Sequence, residues 1–212
     1  MTRRQMEKII KYRNITAEKA FEIHPIFLDL CSDEFKINIL KNNPNHIRYI
    51  SNPSYEMQLT AVSVIGMDND SLCYIKEPTD EIKLEAIKHN PDAIAYIRKP
   101  TEEMQLAAVR LDGNVLCWIK NPSHQVKLEA VRECSEAIES IIFPNEELQL
   151  EALKSYSYIS CIVNPTKKVQ LEALKKSIHE EPYFTKEKAM AYCLSKIKCP
   201  CKEAIDYYLD NQ

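Results

Sequence analysis

Glycine is almost absent from this chain: Gly66 and Gly113 are the two among 212 residues. Phosphate-cradling loops need several glycines at set spacings, so that backbone N–H groups can close on the ligand. Two isolated glycines exclude the nucleotide-binding fingerprints. A surplus of positive charge is missing as well, since 28 Lys and Arg stand against 31 Asp and Glu and leave a net charge of −3. No global basic field therefore exists to hold nucleic acid or an anionic membrane. No apolar stretch approaches the roughly 20 residues a membrane-spanning helix needs, so no membrane role is expected. The opening Met1-Thr2-Arg3-Arg4-Gln5-Met6 runs into a charged helical segment, and no secretion signal is expected. Local catalytic signatures are also missing, with no His-Glu-x-x-His and no Gly-x-Ser-x-Gly. His24, His46, His89, His124 and His179 share no phase and read as having no helical pairing with acids. No enzyme and no cofactor are expected.

What is present is proline at a regular interval. Pro53, Pro78, Pro100, Pro122, Pro144 and Pro165 follow one another at steps of 25, 22, 22, 22 and 21 residues. Each opens the same pattern, so that Pro100-Thr101-Glu102-Glu103-Met104-Gln105-Leu106-Ala107-Ala108-Val109-Arg110 lies over the eleven residues from Pro78 to Lys88. A copy without the proline begins at Cys31-Ser32-Asp33-Glu34 and brings the number of first helices to seven. Chance does not reproduce such a pattern at a fixed step, and periods in this range signify stacked repeats.

Each unit holds two short helices. The first has proline or the following Ser or Thr at its start, acids in its first turn and a cation (Lys88, Arg110, Arg132, Lys154 or Lys175) near its end. Both charges suit the helix dipole. A turn such as Asn90-Pro91-Asp92, Asp112-Gly113-Asn114 or the longer 66–70 segment follows, and then a second helix of about two turns. So short a helix is stabilised only by stacking on its neighbours. At 100° per residue, Met104, Leu106, Ala108 and Val109 with their equivalents cover a broad buried arc. The alanine column Ala61, Ala86, Ala108, Ala130, Ala152 and Ala173 predicts a close approach of helices. A polar column inside that arc (Lys36, Gln58, Lys83, Gln105, Lys127, Gln149 and Gln170) is expected to donate to free carbonyls at the end of the preceding short helix.

The Asn-Pro-Ser/Thr-x-Glu-x-Gln/Lys-Leu-x-Ala-Val unit, followed by Ile-x-x-Ile-x-x-Pro, resembles the short α-helical repeats of bacterial, phage and giant-virus proteins. More loosely it is similar to the leucine-rich repeat variant. The likeness covers about residues 31 to 178. It implies a right-handed α-solenoid of short two-helix repeats (an α-α superhelix) and binding of another protein, and it supplies no catalytic residues. The expected organisation is one all-α domain over 1–212, with an N-terminal helical cap at 1–30, repeats at 31–178 and a helical cap at 179–212. Within the caps, helices are expected over Thr16–Ile23, Ile26–Leu30 and Pro200–Leu209.

Three kinds of side chain could carry function: cysteines, cations and aromatics. Cys31, Cys73, Cys117, Cys134, Cys161, Cys193, Cys199 and Cys201 follow the repeat in part and read as small apolar packing in a reducing cytoplasm. Cys193, Cys199 and Cys201 lack the paired C-x2-C spacing of a structural zinc site, and no metal is expected. Two basic columns run along the repeats. The first, from Lys88 to Lys175, is expected to be offset by acidic turns (Asp68, Asp70, Asp92, Asp112 and Glu136). The second, Lys76, Arg98 and Lys120, is expected to be offset by the acidic helix starts Asp80, Glu81, Glu102 and Glu103.

The aromatic column Tyr49, Tyr74, Tyr96 and Trp118 lies about 100° from the isoleucine face and stops at Ser140. It is either a packing ladder between repeats or a row of anchors for a partner, with Arg98 and Lys120 supplying polar contacts. The favoured reading is a cytoplasmic, non-catalytic protein-interaction module, an adaptor or inhibitor from a bacterium or mobile element. A nucleic-acid binder is the second reading and an enzyme or small-ligand binder assembled from distant residues the third.

The cysteine reading has a direct test. Protein purified without chelator should titrate eight free thiols in denaturant and carry no stoichiometric metal by elemental analysis. One zinc per chain, lost in a Cys199→Ser/Cys201→Ser variant, would overturn it.

Overall fold

The Ser or Thr after each repeat proline sets where the first helix begins. In the computed structural model, which describes residues 2–65, 70–154, 162–180, 186–197 and 200–210, Ser54, Thr79, Thr101 and Ser123 are extended. Their hydroxyls accept the N–H groups of Met57, Ile82, Met104 and Val126, satisfying a donor that the helix leaves unpaired. Asn145 does the same for Leu148 at 3.0 Å. The proline therefore stands outside the helix and feeds an extended residue into its cap.

Asn or Asp closes the turn at the other end. Asn43, Asn90 and Asp112 accept from the N–H two residues on, at 3.1, 3.1 and 2.9 Å. Such an Asx turn starts a new short element. That element is a 3₁₀ helix rather than two turns of α-helix, with bonds spanning three residues such as Ile97 N–H to Ile94 C=O at 3.1 Å. With three residues per turn, side chains three apart align on one edge, so Ile94 and Ile97 both enter the core. Tyr96 then falls about 120° away from that edge.

Among the described residues every regular element is helical. The chain divides into two compact units, Met1–Pro100 and Thr101–Gln212. The first contains α1 (Arg3–Arg13), α2 (Ala17–Ile23), α3 (Asp33–Asn42), α4 (Tyr55–Val62) and α5 (Asp80–His89). Its 3₁₀ helices are Pro25–Leu30, Pro44–Tyr49, Ser71–Tyr74 and Pro91–Tyr96. Helix α3 packs on α4 and α4 on α5, while the 3₁₀ helices form a second row in the same order. The second unit contains α6 (Glu102–Val109), α7 (His124–Glu133), α8 (Glu146–Ala152), α9 (Lys167–Glu180), α10 (Lys186–Lys196) and α11 (Lys202–Asp210), with 3₁₀ helices at Gly113–Trp118 and Ser135–Ser140. Here α6, α7, α8 and α9 neighbour one another in turn, and α10 and α11 close against α9. The helices expected at both ends are present as α2, Pro25–Leu30 and α11.

The alanine column is buried throughout, as are Met104, Val109 and the isoleucine face, while Leu106 is half-buried. The polar column corrects the expected partners. Gln58, Gln149 and Gln170 donate to the carbonyls of their own repeat prolines Pro53, Pro144 and Pro165, at 3.0, 3.0 and 2.9 Å. Gln149 Oε1 also accepts Thr166 N–H at 3.0 Å, and Gln170 Oε1 accepts Cys201 N–H at 2.7 Å. One amide thus links the start of its own helix to the start of the next. Lys36 and Lys83 cannot accept, and pair with Asp33 and Asp80 at 3.2 and 2.7 Å instead. The Cys201 bond places Pro200-Cys201 in the same role as Pro165-Thr166, which makes α11 a last first-helix.

Gly113 sits where the second row meets α7. A Cβ there would lie 2.3 Å from the Ala130 carbonyl oxygen and 2.9 Å from Cys134 Cβ. Gly113→Ala should destabilise the protein by about 2 to 3 kcal/mol in a urea titration, because backbone rather than a flexible side chain would have to move. An unchanged midpoint would show that the second row yields at this point.

Candidate functional site

The aromatic column lies at the surface. Tyr74 is 37 % exposed, Tyr96 45 % and Trp118 56 %, whereas the following residues Ile75, Ile97 and Ile119 are buried. Tyr49 is half-buried, with the His46 ring 5.8 Å away. A ladder of rings buried between repeats would show lower exposure than this. In the first unit the rings are also held in place. The Arg48 guanidinium lies 4.3 Å above the Tyr74 ring, and the Tyr96 hydroxyl donates to Asp70 at 2.6 Å. That bond, together with partial burial, pushes the Tyr96 hydroxyl up to about 12. Trp118, in the second unit, stands on the short Gly113–Trp118 helix.

The two basic columns behave differently. Cations of the first are paired, but to glutamates on the helices and not to the acidic turns. Arg110 meets Glu129 at 3.0 Å, Arg132 meets Glu151 and Glu129 at 3.4 Å each, and Lys88, Lys154 and Lys175 each pair with the Glu three residues earlier. Arg110 thereby holds the Glu129 carboxyl below its ordinary range, and Lys154 does so for Glu151. Asp68 lies outside the described residues.

Lys76, Arg98 and Lys120 are exposed and form no ion pair among the described residues. Three of the four acids expected to offset them are engaged elsewhere: Asp80 with Lys83, Glu81 with the Tyr55 hydroxyl, Glu102 with Ser123. The expected compensation fails because Asp80 pairs within its own helix, while Glu81 and Glu102 accept from hydroxyls of neighbouring repeats.

Beside Tyr49 and Tyr74 in the first unit lies a cleft of about 560 Å³. Ile26, Ile50 and Ile75 give it an apolar wall, and Arg48, Tyr74 and Lys76 a polar one. A further surface escaped the sequence reading. Ile142, Phe143 and Val163 are 81, 89 and 63 % exposed, in the second unit. Ile142 and Val163 take the repeat position held by Lys76, Arg98 and Lys120. The exchange of a cation for an aliphatic residue at that position was the available signal.

Among the described residues, no group of three or more His, Cys, Asp and Glu is placed to hold a metal. One histidine does pair on a helix, against expectation: His89 meets Glu85 at 3.1 Å across one turn. Cys31 and Cys193 are buried, Cys134 and Cys201 half-buried, and all six described cysteines are free thiols. Cys73 and Cys117 are exposed, which corrects their reading as packing residues, since they lie on the outer side of the short helices beside the rings. Cys161 and Cys199 lie outside the described residues, as do residues 66–69 of the long turn. No helix of the described residues is long and apolar enough to cross a membrane.

The Tyr96–Asp70 bond sets a pH dependence. Its folded-state value exceeds the ordinary tyrosine value of about 10, so its contribution is complete below about pH 10 and fades as pH rises to about 12. In protein carrying isotope-labelled tyrosine, the resonance that Tyr96→Phe removes should titrate near 12. Asp70→Asn should return it toward about 10. An ordinary titration in the unsubstituted protein would show that the bond does not form.

Compared with protein-family models, with curated proteins and with solved structures, the chain matches none.

Proposed function

We propose that this chain is a protein-interaction module: a right-handed solenoid of short helical repeats that engages another protein through its outer aromatic column. It acts in the cytoplasm as an adaptor or inhibitor and performs no catalysis. The likeness of its repeat to bacterial, phage and giant-virus repeats supports both the solenoid and the source. The observation that carries the binding reading is the exposure of Tyr74, Tyr96 and Trp118 beside buried isoleucines. Tyr and Trp combine large contact area with few rotatable bonds, which is why they concentrate binding energy at interfaces. Exposed rings held by Arg48 and Asp70 lose little further freedom when a partner covers them. Tyr49 flanks the row in the first unit, and Arg98 and Lys120 supply cations beside it.

A second reading has one observation in its favour. Unpaired cations next to exposed rings are also how single-stranded nucleic acid is held. The net charge of −3 weighs against it.

The two readings separate in one set of measurements. Cross-linked capture of a protein partner should fall by tenfold or more for Tyr96→Ala and for Trp118→Ala, about the 1.4 kcal/mol of one decade or more. The same variants should lose less than about 1 kcal/mol of stability, whereas Ile119→Ala should lose 2 to 5, by roughly the cost of a buried cavity. Capture that ignores both ring variants, or binding of oligo-dT that weakens steeply with salt, would overturn the proposal.

A further inference from the structure

We infer that the cleft of the first unit is a carboxylate-recognising site, which rests on the protein-binding reading and names the chemistry of the segment bound. The segment carries an acidic residue next to an apolar one. Arg48 grips the acid and the isoleucine wall takes its neighbour.

The case begins with how Arg48 is held. Its Nε donates to the Asn45 carbonyl at 2.8 Å, and its guanidinium carbon lies 4.3 Å from the Tyr74 ring centroid and 5.9 Å from that of Tyr49. One edge of the planar group is bonded and one face is stacked. The terminal nitrogens make no hydrogen bond among the described residues. A guanidinium fixed in this way is a fork whose ordering cost has largely been met before a ligand arrives. Two parallel N–H donors match the two oxygens of a carboxylate.

Charge on the cleft points the same way. Lys76 stands on its wall without an ion pair, and Glu77 is the acidic lining residue. Glu77 forms no ion pair with either cation, and the nearby Asp29 is taken up by Ser51, through its N–H at 2.8 Å and its hydroxyl at 2.9 Å. Elsewhere on the chain, exposed arginines such as Arg110 and Arg132 find glutamates. Two cations without an ion pair in one cleft, beside an acidic lining residue that pairs with neither, make it complementary to an acidic ligand. The apolar wall of Ile26, Ile50 and Ile75 distinguishes the site from a phosphate track, which needs an uninterrupted stripe of cations. It gives an aliphatic or aromatic neighbour of the acid a place to sit.

The test uses the full isotope-labelled chain and the acetylated, amidated peptide Glu-Leu-Glu-Phe-Glu, followed by the side-chain N–H signal of Arg48 and the amides of 48–52 and 74–77. Saturable shifts confined to these groups are expected. The peptide Gln-Leu-Gln-Phe-Gln should bind at least about tenfold more weakly, as should Arg48→Gln with the acidic peptide. Arg48→Lys should not restore the affinity, because the charge returns without the fork. Should Arg48→Gln fail to fold, the comparison of the two peptides on the unsubstituted chain decides alone. Equal binding of both peptides, shifts lying away from the cleft, or the same shifts from acetate at the same concentration would overturn the inference. A partner captured through the rings but indifferent to Arg48→Gln would sink this site and leave the protein-binding proposal standing. Oligo-dT displacing the peptide from Arg48 would sink both.

Discussion

Helices this short leave nearly all their terminal backbone groups in need of partners. Four N–H groups at one end and four carbonyls at the other go unpaired in any α-helix. In α4 and α6, of eight residues each, that accounts for almost every group not shared within the helix. The caps are therefore the constraint on which the rest depends. A Ser or Thr hydroxyl receives one N–H at the starts of α4, α5, α6 and α7, an Asx turn organises the exits from α3, α5 and α6, and the glutamine amides of α8 and α9 tie one start to the next. Lys176 closes another exit by donating to the carbonyls of Leu153 and Lys154. Buried alanines allow neighbouring helices to approach closely enough for these short links to reach.

The same constraint shapes the surface. Because the second row is wound as 3₁₀ helix, its two aliphatic core residues share one edge and the two residues between them are turned outward. Large aromatic side chains at these outward positions are not explained by packing, since Ala95 and Cys117 beside them are also exposed. They are instead braced from outside, Tyr74 by Arg48 and Tyr96 by Asp70. Bracing rings without burying them adds little to stability but restricts their motion at the surface. The surface cation columns divide on the same logic. Those facing a helix glutamate are neutralised, and those in the linking segments stay free.

Much of this was legible in the residues alone. The helical class, the order of two helices per unit, the buried alanine and isoleucine columns and the helices at both ends follow from the spacing of Pro, Ala and Ile. These are properties of one turn of backbone and its nearest side chains, so a linear pattern records them. The choice between a cap at Pro and a cap at the following Ser or Thr was open in the sequence because both suit a helix start.

Partners from different repeats, and choices between alternative local reaches, were settled by tertiary contacts. Residue spacing put Gln149 and Gln170 within an apolar arc, but did not reveal that each carbonyl oxygen accepts from the next helix start. It placed Lys76, Arg98 and Lys120 near acids, whereas the fold gives those acids shorter routes to other donors. It set Tyr74, Tyr96 and Trp118 at a boundary angle, and a change from 100° to about 120° per residue turned that boundary into exposure. Periodicity fixes which side of an element a residue occupies. The distance to a charge or a ring across a turn depends on how the neighbouring backbone is wound, and no single repeat contains that information.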